Sequence, residues 1–287
     1  MAGLAGVLFD GIAYGALLFV ISIGLSVTMG LMNFVNLAHG AFAMVGGYVC
    51  AVGAARWGIP FLAALPLAFV VSAVIGVILE RTLYQHLYRA THLEQVMFSI
   101  GLVFVSVAGA TYLFGPSQQP VVLPEFLRGQ VHVLGLDLSA FRLFLIAVVI
   151  AVTIALHFMM DRTRFGAQVR ASVDNAAVAE GMGINVNRVF AVTFALGSGL
   201  AGLGGALGVD VLGLDPTFPL KYMVYFLLVV TVGGAGAIRG ALVAAVTLGV
   251  LDVAGKYYVP QVGAFVIYVM MVVLLLLFPA GLYGRRS

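Results

Sequence analysis

The sequence has few charged residues and a single cysteine. Only 9% of its 287 residues are Asp, Glu, Lys or Arg, and 63% are hydrophobic. Soluble proteins carry about 25% charged residues, so this composition excludes an ordinary soluble domain. The one cysteine, Cys50, lies in a hydrophobic run and cannot form an internal disulfide, so it indicates nothing about redox compartment.

The chain also lacks a phosphate-binding loop. Its one Gly-Lys pair, Gly255-Lys256, is followed by Tyr257 and has Val250 where the motif needs its first glycine. We therefore expect no ATP site in this chain. We also expect no enzymatic activity of its own, no cofactor and no metal.

Ionisable groups are scarce in the middle of the hydrophobic runs. Four acidic residues fall near the ends of these runs: Asp10, Glu80, Asp161 and Asp252. A carrier driven by protons or sodium would be expected to keep such groups at membrane depth. This scarcity argues against a stand-alone ion-coupled carrier or channel, which stays an alternative function. A structural membrane scaffold is a further alternative.

Apolar runs long enough to cross a bilayer recur along the whole chain. They predict an all-α, polytopic integral membrane protein with about 8–9 transmembrane helices in a single transmembrane domain, residues 1–287. The run at residues 222–255 is too long for one straight span, so we expect broken or re-entrant segments.

Cations in short loops predict the topology. Arg81 and Arg89, the arginines of the loop at residues 161–188, and Arg285 with Arg286 assign three regions to the cytoplasm. Residues 116–139 are then an extracytoplasmic loop, and the alternation around Gln130 to Leu134 suits a small hairpin or a capping loop. Since the cations set topology, nucleic-acid binding is not supported. Nine crossings would put the N-terminus outside, and a re-entrant segment at residues 30–40 would put it inside.

Polar side chains interrupt the stretch GLMNFVNLAHGAFAMVGGYV, residues 30–49. Asn33, Asn36 and His39 suit a broken or re-entrant helix, where they would satisfy freed backbone groups. For His39 two interpretations stay open: a hydrogen bond between helices, or a place on a translocation path.

Glycines form two further signals. Gly197, Ala201 and Gly205 have the small-xxx-small spacing that lets helices pack closely in lipid. Gly233, Gly234 and Gly236, followed by Arg239, predict a real interruption that lines a path or breaks a helix.

The cytoplasmic loop RFGAQVRASVDNAAVAEGMGINVNR, residues 164–188, predicts an amphipathic helix over 166–180. Val169, Val173, Ala176 and Ala177 form one apolar stripe, and the break at 181–183 ends the helix. The stripe favours docking of a partner protein, and the alternative is a helix lying on lipid headgroups.

Three motifs in order carry a resemblance over nearly the whole chain. NFVNLAHGAFAMVGGY, the loop RFGAQVRAS with AVAEGMGINVNR, and VVTVGGAGAIRGALVAA resemble the permease subunits of branched-chain amino acid ABC importers, most closely the LivH type. The resemblance implies a multi-pass protein of the bacterial inner membrane. It implies as partners a second, LivM-like permease, two ABC ATPase subunits and a periplasmic substrate-binding protein.

The resemblance also implies a coupling helix to the ATPases. Its positions here are Asp174, Ala176, Ala177, Glu180, Gly181, Gly183 and Ile184. The loops around Gln118 to Asp137 and Asp210 to Lys221 would receive the binding protein. The implied substrate is a branched-chain or related hydrophobic amino acid, with urea, short amides and aromatic acids as alternatives, since permeases similar to these handle them too.

Overall fold

The computed structural model describes residues 2–32, 34, 36–88, 90–133, 136–277 and 281–282. Predicted residues Asn33, Arg89, Leu134, Arg285 and Arg286 lie outside this part of the chain. Most of the described residues are helical, in the order α1 (Ala2–Met32), α2 (His39–Trp57), α3 (Phe61–Thr82), α4 (His92–Phe114), α5 (Glu125–Arg128), β1 (Gln130–Val133), β2 (Leu136–Ser139), α6 (Ala140–Arg162), α7 (Arg164–Asp174), α8 (Ala176–Gly181), α9 (Val186–Leu212), α10 (Phe218–Gly233), α11 (Ile238–Tyr258) and α12 (Gly263–Leu277).

Six of these helices are long and apolar enough to cross a membrane: α1, α3, α4, α6, α9 and α11. Helices α10 and α12 are apolar but have only 16 and 15 residues, and α2 has 19. The prediction of a polytopic helical fold is confirmed. The span number of about 8–9 requires that the shorter helices also cross, and it stays a prediction.

The bundle has two distinct ends, which we name by their neighbours. At the hairpin end, Asp10 of α1 forms an ion pair with Arg142, just after β2. At the α7 end, Gly30 and Leu31 of α1 line one cavity together with Val169 of α7. Helix α1 therefore runs from the hairpin end to the α7 end, in the same direction as α6.

Close backbone contacts hold the centre of the bundle. A Cβ atom placed on Gly24 of α1 would collide with the backbone of Gly197 in α9, and one on Gly197 would lie 2.9 Å from the carbonyl oxygen of Gly24. Gly205 of α9 contacts Ala43 of α2 in the same way. Small residues allow such approach in lipid, so the close packing predicted for Gly197 and Gly205 is confirmed.

The helices α1–α3 and α9–α11 form an inverted repeat. Their lengths are 31, 19 and 22 residues against 27, 16 and 21. Helices α1 and α9 run antiparallel, α1 packs along α11 with Gly15 on Ala245, and α9 packs along α3 with Gly199 on Phe69. In both triplets the middle helix is the short one, an arrangement also found in membrane transporters.

The loop between α4 and α6 contains the predicted hairpin. Strands β1 and β2 pair antiparallel with Gln130 opposite Ser139. Of the two alternatives that the sequence left open here, a hairpin or a capping loop, the structure shows the hairpin, and α6 follows it directly.

The single helix predicted over residues 166–180 is wrong, because the chain breaks at Asn175. This residue is extended, with φ −161° and ψ 103°, and its Oδ1 accepts a hydrogen bond of 3.0 Å from the backbone N–H of Val178. An asparagine side chain that replaces a backbone partner in this way starts a new helix. The predicted end at residues 181–183 is correct, since α8 finishes at Gly181.

Candidate translocation and coupling sites

The entry into α2 is held by Asn36. This residue is 2% exposed, and its Oδ1 accepts hydrogen bonds from the backbone N–H of Ala38 at 3.1 Å and from the hydroxyl of Tyr84 at 2.9 Å. The ring of Tyr84 lies edge-on to Phe34, with centroids 5.2 Å apart. Asn36 thus satisfies a backbone donor where the chain turns inside the bundle, as its polar character predicted.

His39, the first residue of α2, is tied to the middle of α1. Its Nε2 lies 2.7 Å from the backbone carbonyl oxygen of Ile21 and must donate, because a carbonyl only accepts. This is a hydrogen bond between helices, the first of the two interpretations that the sequence left open. A role on the translocation path stays a prediction for Asn36 and His39.

The connection between α10 and α11 is a genuine interruption. Gly234 and Gly236 have φ values of +93° and +79°, which side chains other than glycine rarely adopt. The backbone N–H of Gly236 donates to the carbonyl of Ser26 in α1 at 2.9 Å. A Cβ on Gly233 would lie 2.6 Å from the backbone nitrogen of Ala241. The long hydrophobic run is therefore two helices joined by a turn that α1 supports.

A cavity of about 610 Å³ opens at the α7 end, and we name it the α7 cavity. It lies where α1, α6, α7 and the turn at residues 234–237 meet. Charged and titratable groups share its wall with valine, leucine and isoleucine side chains: His157, Asp161, Arg170, Asp174 and Arg239. Membrane proteins tolerate irregular backbone where it lines a cavity with polar walls, and the turn at residues 234–237 is in such a position.

Three of the site residues predicted from sequence meet in this cavity: Asp174, Gly236 and Arg239. Asn36 and His39 are not among its lining residues. The sequence did not assign Asp161 or Arg170 to a site; their side chains stand 4.0 Å apart here. Arg170 was among the cations that indicated topology, and Asp161 was noted only as an acidic residue near the end of a hydrophobic run. The folding of α7 back against α6 brings the two side chains to one wall.

The predicted coupling segment forms an exposed surface on α7 and α8. Ala176, Ala177 and Glu180 are exposed, and so are the large apolar side chains of Val178 at 57% and Met182 at 78%. We call residues 174–184 the coupling surface. Its apolar side chains stand outside the bundle, where a partner could cover them.

The end of α8 is closed by a Schellman motif. Gly183, at φ +86°, donates from its backbone N–H to the carbonyl of Glu180 at 2.9 Å, and Ile184 donates to Ala179 at 3.0 Å. These bonds satisfy the last carbonyls of the helix and fix the direction in which the chain enters α9. Gly183 and the half-buried Ile184 therefore shape the coupling surface, whatever binds to it.

These features define a class of protein: a polytopic helical membrane protein with an inverted repeat, interrupted helices around a polar cavity, and an exposed surface at one end. The particular family follows from comparison. Residues 7–275 match the family described as the permease component of the branched-chain amino acid transport system, and the chain belongs to it. It is a transport permease by family.

Curated relatives agree over almost the full length. The chain is 26% identical to the high-affinity branched-chain amino acid transport permease BraD of Pseudomonas aeruginosa, covering 97% of this chain and 95% of the relative. It is 29% identical to a probable LivH permease of Methanocaldococcus jannaschii, with 97% and 92% covered. It is 26% identical to LivH of Escherichia coli K12, with 97% and 94% covered. No solved structure matches significantly.

Proposed function

We propose that this chain is the membrane-spanning permease subunit of an ATP-driven ABC importer for branched-chain or related hydrophobic amino acids. The observation that carries the proposal is the coupling surface, which exposes Val178 and Met182 at one end of a bundle whose family is that of transport permeases. The chain would perform no covalent chemistry, and separate subunits would hydrolyse ATP.

The proposal makes the α7 end cytoplasmic in the bacterial inner membrane. Arg162, Arg164 and Arg188 flank or lie in this loop, and positive charge favours the cytoplasmic side. The N-terminal end of α1 would then face outward. Counting α2, α10 and α12 as passes gives nine crossings among the described helices, which agrees with an outside N-terminus.

Two ATPase subunits would bind this chain and a second, LivM-like permease through coupling surfaces. The residues in contact would be Asp174, Ala176, Ala177, Glu180, Gly181, Gly183 and Ile184. Closure of the ATPases on ATP would move α7 and α8 as a rigid unit. Because α7 forms one wall of the α7 cavity and Arg239 another, this motion would open or close the cytoplasmic side of the path.

The hairpin end would receive the periplasmic binding protein. The loops around residues 118–137 and 210–221 lie at that end and are linked, because the backbone N–H of Gln119 donates to the carbonyl of Leu214 at 2.8 Å. Asp215 accepts from both Lys221 and Thr217. Burial alone would raise the pKa of Asp215, but these bonds bring it below the usual value, so this carboxylate stays ionised at neutral pH.

The test is uptake by proteoliposomes that contain this chain with the subunits purified with it. We expect labelled leucine to enter only when ATP is inside the vesicles and the binding protein is outside. We also expect uptake to be insensitive to a protonophore. Purification without ATPase subunits, or uptake driven by an ion gradient alone, would replace the importer with a stand-alone carrier.

Substrate class is tested in the same vesicles. Leucine, isoleucine and valine should be taken up, while labelled urea should not. Uptake of urea or short amides without leucine would keep the importer and exclude amino acids as its substrate.

A further inference from the structure

A second cavity, of about 210 Å³, lies at the hairpin end between α1, α6, α9 and α11. We name it the hairpin-end cavity. It contains two acidic and two basic side chains within a largely apolar bundle, and its lining residues are Asp10, Ala13, Tyr14, Arg142, Leu145, Val211, Asp252, Val253 and Lys256. Charged groups inside membrane helices are rare and mark functional sites.

The deepest group in this cavity is the carboxylate of Asp252. The residue is 1% exposed, and its Oδ2 accepts a hydrogen bond of 2.6 Å from Lys256 Nζ. Its Oδ1 is buried and has no hydrogen-bond partner among the described residues. A buried carboxylate oxygen normally accepts a hydrogen bond, so Oδ1 can accept one from the donor group of a bound ligand.

The cations stand at the mouth of the cavity. The side chains of Lys256 and Arg142 are 50% and 38% exposed, and Arg142 pairs with Asp10. Lys256 Nζ also lies 5.7 Å from the ring centre of Tyr14. The cavity therefore has a carboxylate acceptor that is buried, cationic donors that are partly exposed, and apolar side chains from Leu145, Val211 and Val253 in its lining.

We propose that the hairpin-end cavity binds a zwitterionic α-amino acid, with the ammonium group on Oδ1 of Asp252 and the carboxylate on Arg142. The charges of the two acidic and two basic side chains sum to zero, so a bound zwitterion leaves the net charge of the cavity at zero. A lone cation or anion would leave one buried charge uncompensated. An uncharged amide such as urea could form hydrogen bonds to these groups but has no charge of its own to pair with them, so it would bind more weakly than a zwitterion.

This inference rests on the proposed function. In an importer, the binding protein would release the solute at the hairpin end, where this cavity lies. The site would be the first contact of the released amino acid with the permease. The apolar side of the cavity would accept a branched side chain, since Leu145 and Val253 offer only hydrocarbon contacts there.

Binding to the permease chain in nanodiscs, without ATP or binding protein, tests the site. Saturation-transfer NMR suits the weak affinity expected of a transport site, and the probes are leucine, 3-methylbutylamine and 4-methylpentanoate. We expect leucine to bind at least tenfold more tightly than the amine or the acid. Equal binding of the amine alone would mean a simple cation site and would overturn the proposal.

Three variants complete the test. Asp252→Asn keeps the size of the side chain and removes its charge, and should weaken leucine binding at least tenfold. Val211→Trp should have a similar effect by filling the cavity from its partly exposed rim, with every charge retained. The control Glu94→Gln makes the same chemical change at the far end of the bundle, where glutamine also fits the capping box, and should bind normally. Normal leucine binding by both cavity variants would overturn the proposal.

Failure of this site can be told apart from failure of the importer. If leucine uptake requires ATP but binding ignores Asp252, the site is wrong and the importer stands. If binding requires Asp252 but uptake runs on an ion gradient, the importer is wrong and the site stands.

Discussion

Tyr84 donates a hydrogen bond to Oδ1 of Asn36 across 2.9 Å, although 48 positions separate the two residues in the chain. The bond joins the segment after α3 to the turn that leads into α2. Both residues are buried, and burial raises the pKa of Tyr84 well above its usual value, so the hydroxyl keeps its proton to donate. The first interrupted element of the inverted repeat thus depends on a contact from the following connection.

Replacing Tyr84 with phenylalanine removes this donor and leaves the ring in place. Asn36 Oδ1 would keep only the bond from Ala38, so we expect a loss of about 1–2 kcal/mol in stability. The measurement is thermal unfolding in detergent by circular dichroism. Tyr112→Phe is the matched control, because Tyr112 is 89% exposed and should tolerate the change. Equal melting temperatures for the two variants would show that the bond contributes nothing.

The contact between α1 and α9 should tolerate no side chain. Gly24→Ala would push a methyl group into the backbone of Gly197, which cannot rotate away. Overpacking of a core generally costs about 1–3 kcal/mol, and a clash with backbone belongs at the upper end. We expect a marked loss of folded protein after a detergent challenge, measured by size-exclusion chromatography.

Gly101→Ala in α4 is the control for this change. No atom outside its own helix backbone and chain neighbours lies within 4 Å of a Cβ at Gly101, and alanine is the better helix former by about 0.5–1 kcal/mol. This variant should be as stable as the parent or more so. A Gly24→Ala protein that behaves like Gly101→Ala would contradict the close approach of α1 and α9.

The coupling surface should not tolerate an added charge that becomes buried when an ATPase docks. Ala177→Asp adds a carboxylate to an exposed position of α8 that the proposed function places against an ATPase, where it would be desolvated without a partner. We expect ATP-driven leucine uptake to fall at least tenfold while membrane insertion stays normal. Replacing Glu180 should likewise abolish uptake.

Ala55→Asp provides the comparison for Ala177→Asp. Ala55 is also exposed and lies near the C-terminal end of α2, towards the hairpin end. It does not belong to the coupling surface. Uptake by this variant should match that of the parent. If Ala177→Asp also transports normally, residues 174–184 do not contact an ATPase.

Some of this architecture could be predicted from local sequence because it depends on local physics. Hydrophobic length predicted the spans, and the cluster Gly233, Gly234 and Gly236 predicted the turn between α10 and α11. The break at Asn175 was missed because the apolar stripe continues in register from Val173 to Ala176 and Ala177. Hydrophobic periodicity shows which face of a helix is apolar. It does not show that a side chain such as that of Asn175 accepts a hydrogen bond from a backbone N–H and so interrupts the helix.

The cavities could not be predicted, since they form from residues distant in the chain. Asp161 and Arg239 face the same space only after α11 has packed along α1. From the sequence, Asp10 and Asp252 were interpreted only as acidic residues near the ends of hydrophobic runs. Arg142 and Tyr14 were not singled out. Their common position follows from four helices converging, and no spacing in the sequence encodes it.

The Schellman motif after α8 gives a last prediction. Gly183→Ala forces alanine into the left-handed region at φ +86°, which costs about 1–2 kcal/mol. We expect α8 to lose its closing bonds from Gly183 and Ile184, so that the coupling surface is displaced and fewer ATPase subunits co-purify. Gly181→Ala changes a neighbouring glycine that has no positive φ and no nearby contact for a Cβ, so it should leave the helix intact. Because both residues belong to the proposed contact, hydrogen exchange of residues 176–184 in the isolated permease is the deciding measurement: faster exchange in Gly183→Ala alone supports the motif, and equal exchange in the two variants contradicts it.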